Sequence, residues 1–243
     1  LELLDANEEN IHALLDVESK HVFNKEEAPM FRAKLYQLGK EDFVFFFMVH
    51  HAIWDGWSFD IFFEELNTVY SALVKGETPH FEKNSEVTYI DYTSWLNNQI
   101  VQEKIQSQIS FWENKLRAPL PVLELPADYK RPLVANNHGK SIFFTLTPEQ
   151  SGKLRRYAKE QNSSLFNVFL TAFKITLARY IDQESDLKDV IVGIPVRGRP
   201  SDEVMQTIGY FVNTLTLRSA LNLGHSFEEN LKAVTHTVME AFD

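Results

Sequence analysis

An α/β protein with two lobes is what this sequence predicts, and three observations carry the prediction. Strand-like and helix-like hydrophobic patterns alternate along the chain. The 243 residues, 44% hydrophobic and 24% charged, supply enough apolar side chains for a sizeable core. Near the middle, Pro119, Pro121, Pro126 and Pro132 exclude regular structure and set two blocks of pattern apart.

Taken in order, Leu1-Glu-Leu-Leu-Asp5 reads as a helix-to-strand connection. Phe43 to Val49 is a continuous aromatic and aliphatic run, long enough for a buried strand and short for a helix. Ser58 is the expected cap of the next helix, with Asp60 in its first turn and Phe59, Phe62, Leu66, Val69 and Leu73 as its buried stripe. Gly76 and Pro79 end that helix, and a polar linker follows from Lys75 to Glu86. A longer helical stretch from Tyr89 to Leu116 carries Trp95, Ile105, Ile109 and Trp112. Beyond the proline-rich arm, Ser141 to Leu146 reads as a strand.

Thr147-Pro148-Glu149-Gln150 is a capping box with proline at the first helical position. Ser164 to Tyr180 is apolar on nearly every face, which predicts a buried helix. Val190 to Val196 and Phe211 to Leu217 read as strands. Ser226 and Glu229 form a second capping box ahead of Phe227, Leu231, Val234 and Val238 at helical spacing. The chain has no start methionine and no glycine or proline closing its last helix, so it reads as part of something longer.

Composition removes several classes of function. With 24 Lys and Arg against 34 Asp and Glu, the formal charge is −10, the wrong sign for neutralising the phosphates of a nucleic acid. Cys 0 excludes disulfides, thiolate metal sites and cysteine nucleophiles. No apolar run approaches the length of a membrane helix and no basic-then-apolar leader opens the chain, so the expectation is a cytoplasmic protein without membrane or nucleic-acid partners. Phe 19 suits a thick core or an apolar channel.

The chemistry concentrates in His50-His51-Ala-Ile-Trp-Asp55-Gly56-Trp57-Ser58, directly after the aromatic strand. Side chains alternate across a strand, so His50 and His51 are expected on opposite sides and only one can face a cavity. Gly56 permits the positive φ that a strand-to-helix turn can need. A histidine held by such a turn has its tautomer set by its neighbours, and imidazole suits proton transfer near neutral pH. Asp55 can orient that histidine directly, or pair with a distant cation and hold the turn, leaving His51 to backbone contacts. Diverging neighbours make His50, His51 and Asp55 a poor metal site. There is no serine nucleophile elbow, because Ser58 is more simply a cap.

These residues resemble the HHxxxDG motif of condensation domains from nonribosomal peptide synthetases. Other segments resemble that family in the same order: Tyr89-Ile-Asp-Tyr-Thr-Ser-Trp95, Phe111-Trp112 with Leu123-Glu-Leu-Pro-Ala-Asp-Tyr-Lys-Arg-Pro132, Gly193-Ile-Pro-Val-Arg-Gly-Arg199, and Ile208-Gly-Tyr-Phe-Val-Asn-Thr-Leu215. Ala28-Pro-Met-Phe-Arg32 is similar to the approach to the family's catalytic strand. The resemblance runs from Phe23 to Phe242. The family's N-terminal Ser-x-Ala-Gln-x-Arg type segment and its HQDxPFE-like segment are absent, which agrees with a fragment.

The resemblance implies a chloramphenicol-acetyltransferase-like fold, a two-lobed pseudo-dimer with the HHxxxDG loop in a central cleft or tunnel. Residues 1–80 would belong to the N-terminal lobe, 81–140 to a linker helix and the proline-rich arm, and 141–243 to the C-terminal lobe. It implies donor and acceptor carrier domains, each presenting a thioester on a phosphopantetheine arm, a flanking adenylation domain, and no cofactor bound by the domain itself. The implied reaction is attack of a carrier-bound aminoacyl amine on a carrier-bound acyl or peptidyl thioester. His51 is the histidine the family places in the tunnel, as general base or as a group positioning the amine.

An α-amine with a pKa near about 8 is partly neutral already, and positioning tethered reactants lowers a barrier by several kcal/mol, so orientation of the amine is the favoured role. By resemblance Asp55 pairs with an arginine, Arg199 first and Arg197 second. Gly56 would let backbone pack closely near the thioester, Trp57 would wall the tunnel, and Asn213 would line the cleft or satisfy a strand edge. His50 and His51 separate the chain from heterocyclising relatives, which carry aspartates there. Ser58-Phe59-Asp60 separates it from epimerising ones, and the Gly-Trp-Ser continuation looks most like domains taking an L-configured or acyl donor. The competing expectations are an acyl-CoA-dependent acyltransferase sharing His51-x-x-x-Asp55, and a condensation-like docking module without chemistry.

Overall fold

The structure, a computed structural model, describes residues 1–81, 86–99, 103–130, 132–134, 139–181 and 185–242. It divides into two compact units, the first comprising Leu1–Val101 with Val196–Asn213 and the second Gln102–Pro195 with Thr214–Asp243. The 196–213 segment therefore packs with the first unit, although the sequence groups it with 141–243.

The first unit carries β1 (Glu2–Asp5), α1 (Ile11–Ser19), β2 (Phe31–Gln37), β3 (Phe43–Val49), α2 (Gly56–Lys75) and α3 (Tyr89–Gln99). Its sheet has the order β1-β2-β3, with β1 parallel and β3 antiparallel to β2. The register sets Phe31 opposite Val49, and the next ladder bond, from the His50 N–H to the Met30 carbonyl at 2.9 Å, carries the pairing into the motif. Phe47 stacks on Phe62 of α2 at 4.6 Å between centroids, and Trp54 lies edge-on to Phe59 and Phe62 at 5.4 and 5.7 Å. This aromatic cluster fastens α2 to β3 and places the turn between them.

The α2 stripe is narrower than periodicity suggests. Ile61 is buried, whereas Leu66 and Leu73 are exposed at 38% and 64%. Gly76 ends the helix in the left-handed region at φ 73°, the conformation that favours glycine at that place. The linker expected at Lys75–Glu86 falls partly outside the described residues.

The second unit holds α4 (Glu103–Lys115), α5 (Pro148–Glu160), α6 (Leu165–Ala178), β4 (Leu187–Val196, its last residue lying in the first unit), β5 (Asn213–Asn222, its first residue lying in the first unit) and α7 (Phe227–Phe242). Strands β4 and β5 pair with each other. Ala158 of α5, Val168 of α6 and Leu231 of α7 share one apolar cluster. Both capping boxes form: Thr147 with Gln150 opens α5, and Ser226 with Glu229 opens α7. The single helix expected over Tyr89–Leu116 is described as α3 and α4. Residues 100–102 between them, and the side chain of Ile105, lie outside the described residues.

Three expectations are corrected in this half of the chain. Residues 141–146 form no strand. Ile142, Phe143 and Phe144 are exposed at 89%, 91% and 82%, and β-propensity without a paired edge leaves backbone groups to solvent. The last strand starts at Asn213 rather than Phe211, because the Phe211 N–H is engaged by Asp55. Helix α6 is two-faced: Val168, Leu170, Thr171 and Lys174 are buried, while Phe166, Phe169 and Phe173 are exposed. From Arg117 to Thr147 the described residues form no helix or strand, in keeping with the prolines.

Candidate functional site

The two histidines follow β3 rather than ending it, with His51 in a turn. The strand argument for opposite sides therefore does not apply, and local hydrogen bonds decide their orientation. His51 Nδ1 lies 2.7 Å from the Trp54 carbonyl oxygen. A carbonyl only accepts, so Nδ1 carries the proton and the neutral ring presents a lone pair at Nε2. At His50 the pattern reverses. The Ala52 N–H donates to Nδ1 at 3.0 Å, which leaves the neutral ring's proton on Nε2. His51 is exposed and His50 half-buried, with Phe23 edge-on to His50 at 6.1 Å.

Asp55 makes none of these contacts. It is the N-cap of α2, and its Oδ1 accepts the Ser58 N–H at 2.8 Å. This corrects the assignment of Ser58 as cap, since Ser58 is the third residue of a helix that begins at Gly56. The Ser58 hydroxyl is fully buried, 2.7 Å from Asp55 Oδ1 and 3.0 Å from the Gly209 carbonyl, either of which takes its one proton. In return it accepts the Gly209 N–H at 3.1 Å. Asp55 Oδ2 accepts the Phe211 N–H at 3.0 Å.

Arg199 closes the cluster. Its Nη2 lies 3.2 Å from Asp55 Oδ1, and its Nη1 donates to the Val204 and Thr207 carbonyls, each at 2.6 Å. The guanidinium sits 4.0 Å from the Phe211 ring centroid, a distance for cation–π attraction. Burial works to raise the Asp55 pKa. The Ser58 and Phe211 hydrogen bonds and the Arg199 charge outweigh it and hold the carboxyl below the usual value. For Arg199 burial lowers the pKa, and the neighbouring Asp55 opposes that.

Trp57 donates its indole N–H to the Met205 carbonyl at 3.0 Å, and the exposed Arg197 covers its ring at 4.7 Å. Gly56 departs from the expectation of a positive φ, since its φ is not in the left-handed region; a Cβ there would meet nothing within 4 Å. Asn213 opens β5 and is exposed. Among the described residues no group of three His, Cys, Asp or Glu side chains is placed to hold a metal, and no described helix is long and apolar enough to cross a membrane.

Sequence reasoning missed the partners that complete the cluster. Tyr89 donates its hydroxyl to the Tyr210 carbonyl at 2.8 Å, and its ring lies edge-on to Phe211 at 5.1 Å. Tyr92 packs on Phe211 at 4.6 Å. Gly198 and Gly209 are required by close approach, because a Cβ would collide with the Phe211 carbonyl at the first and the Tyr89 ring at the second. The aromatic pattern of Tyr89 to Trp95 was the available signal, but it named no partner.

The family model described as Condensation domain matches residues 2–243. A linear gramicidin synthase subunit of Brevibacillus parabrevis is 37% identical over 98% of the chain, and surfactin synthase subunit 1 of Bacillus subtilis (strain 168) is 37% identical over 91%. The chain spans 3% and 6% of those two proteins. Among solved structures, the X-domain from teicoplanin biosynthesis is similar with a TM-score of 0.85 at 24% identity, over 99% of this chain and 54% of that one. The first condensation domain of the CDA synthetase gives 0.76 at 21% identity, over 98% and 53%. The family model matches along nearly the whole length and the synthase subunits are 37% identical, and the chain belongs to the condensation-domain family.

Proposed function

We propose that this chain forms amide bonds in nonribosomal peptide synthesis, joining an acyl or peptidyl thioester on one carrier domain to an aminoacyl thioester on another. The amine nitrogen attacks the donor carbonyl carbon, the N–C bond forms and the C–S bond breaks. The amine's proton ends on the departing phosphopantetheine thiol. The carriers supply the phosphopantetheine, an adenylation domain supplies the aminoacyl group, and the setting is cytoplasmic. The relatives support this context by name, being synthase subunits, and one structural neighbour is a four-domain nonribosomal peptide synthetase.

The observation that carries the reading is His51 Nδ1 held by the Trp54 carbonyl. With that nitrogen occupied, Nε2 is the atom left to accept a hydrogen bond from the attacking amine. It orients the nitrogen lone pair toward the thioester and takes the proton as the bond forms, while positioning supplies much of the rate. Asp55 and Arg199 hold the turn rather than touch reactants. The open space beside Gly56 is room for a thioester arm.

The test is single-turnover amide formation in the intact protein, with donor and acceptor each loaded on a carrier. His51→Ala should lower the rate by about 100-fold or more. Undiminished product from His51→Ala would assign the chain to docking, and turnover of a free acyl-CoA without carriers would assign it to the acyl-CoA-dependent transferases.

A further inference from the structure

We infer that Tyr210 is a positioning residue for His51 and that Tyr89 anchors it there. The inference rests on the proposed role of His51. One hydrogen bond at Nδ1 fixes an atom of the imidazole but leaves the ring able to tilt about it, so a ring of defined orientation needs a second contact. Tyr210 supplies it: the two rings meet edge-on, 5.4 Å between centroids at 72°, within the range of favourable aromatic pairs. It also covers one flank of the imidazole, so a reactant reaches Nε2 from the remaining sides.

The backbone around Tyr210 is bonded at three successive residues. Gly209 exchanges hydrogen bonds with Ser58, the Tyr210 carbonyl accepts the Tyr89 hydroxyl, and the Phe211 N–H goes to Asp55. The Tyr89 ring reaches this place because residue 209 has no Cβ. Helix α3 thereby sets the height of Tyr210 over His51, and the Asp55 cluster fixes the same backbone from the other side. The Tyr210 side chain is 41% exposed, so core packing does not account for it.

The experiment compares Tyr210→Phe, Tyr210→Ala and Tyr89→Phe in the intact protein. With ¹⁵N-histidine labelling, no substrate present and the pH set where imidazole is neutral, wild type should show the His51 proton on Nδ1 in one tautomer. Tyr210→Phe should keep that signature, Tyr210→Ala should keep the Nδ1 proton on the Trp54 carbonyl but shift and broaden the Nε2 signal as the ring tilts, and Tyr89→Phe should move it partway. Single-turnover rates should fall between about two- and tenfold in Tyr210→Ala, and stay near wild type in Tyr210→Phe. If Tyr210→Ala does not fold, Tyr210→Leu is read in the same way. Unchanged His51 nitrogen shifts in the alanine variant would overturn the inference, as would an equal loss in Tyr210→Phe. Failure of the catalytic reading is separately visible, as full activity in His51→Ala while the nitrogen shifts still respond to Tyr210→Ala.

Discussion

Arg199 and Asp55, 144 residues apart in sequence, meet as a buried ion pair with Nη2 3.2 Å from Oδ1 and side-chain exposures of 0% and 3%. Two charges out of water persist only when further hydrogen bonds complete them. Ser58 and Phe211 do this for the carboxylate, and the Val204 and Thr207 carbonyls do it for Nη1 of the guanidinium, while its Nε stays buried without a hydrogen-bond partner. The pair ties the start of α2 to the 196–213 segment within one unit. The turn carrying His51 is held at its far end by that tie.

Removing one partner leaves the other charge buried without compensation. Arg199→Ala should therefore destabilise the first unit by about 3–5 kcal/mol in denaturant unfolding. Arg199→Lys should recover little, because an ammonium lacks the planar fork that serves Asp55 and two carbonyls together. The pH dependence follows from the lowered Asp55 pKa: its stabilisation is full above the unfolded value of about 4 and is lost as pH falls through the folded value. The stability difference between wild type and Asp55→Asn should shrink below about pH 4. A loss under about 1 kcal/mol in Arg199→Ala, or a difference indifferent to acid, would contradict this account of the brace.

Gly56 stands at the first position of α2 with open space where a Cβ would go. Alanine there meets no clash and favours the helix, so Gly56→Ala should unfold at wild-type denaturant concentration or slightly higher. If a thioester arm uses that space, the same variant should lower amide formation by about tenfold or more, since a small misplacement of tethered reactants is costly. Wild-type turnover would show that the arm passes elsewhere.

What could be read from sequence was what is local. The capping boxes at Thr147 and Ser226 involve residues three apart, and HHAIWDG is contiguous, so both were visible in the chain. Ser58 was misread because Asp55 and Ser58 are both good caps, and the choice depends on where the helix begins. Arg199 entered through resemblance, since no spacing rule connects it to Asp55. Tyr210 lay in the Ile208–Leu215 segment named by resemblance but without a role, which comes from Tyr89 and Gly209, brought beside it by the fold. Ser141–Leu146 shows the opposite error, β-propensity read without a partner strand.

Lys174 supplies a test independent of the site. Its side chain is fully buried in the second unit, with Nζ donating to the Leu217 carbonyl at 2.7 Å and the Ser219 hydroxyl at 2.8 Å. Burial pushes its pKa down to about 8, against a smaller upward pull from Asp189. Between that value and the unfolded one of about 10.4, the unfolded chain binds more protons, so raising pH through this window favours the folded state. The cost of the buried charge, up to about 3 kcal/mol at neutral pH, is relieved as the amine deprotonates. Lys174→Met keeps the length of the side chain without the charge. Its stability relative to wild type should thus be highest near pH 7 and fall by about 2 kcal/mol by about pH 9.5, measured by urea unfolding at the two values. A relative stability that does not change with pH would mean that Lys174 titrates alike in both states.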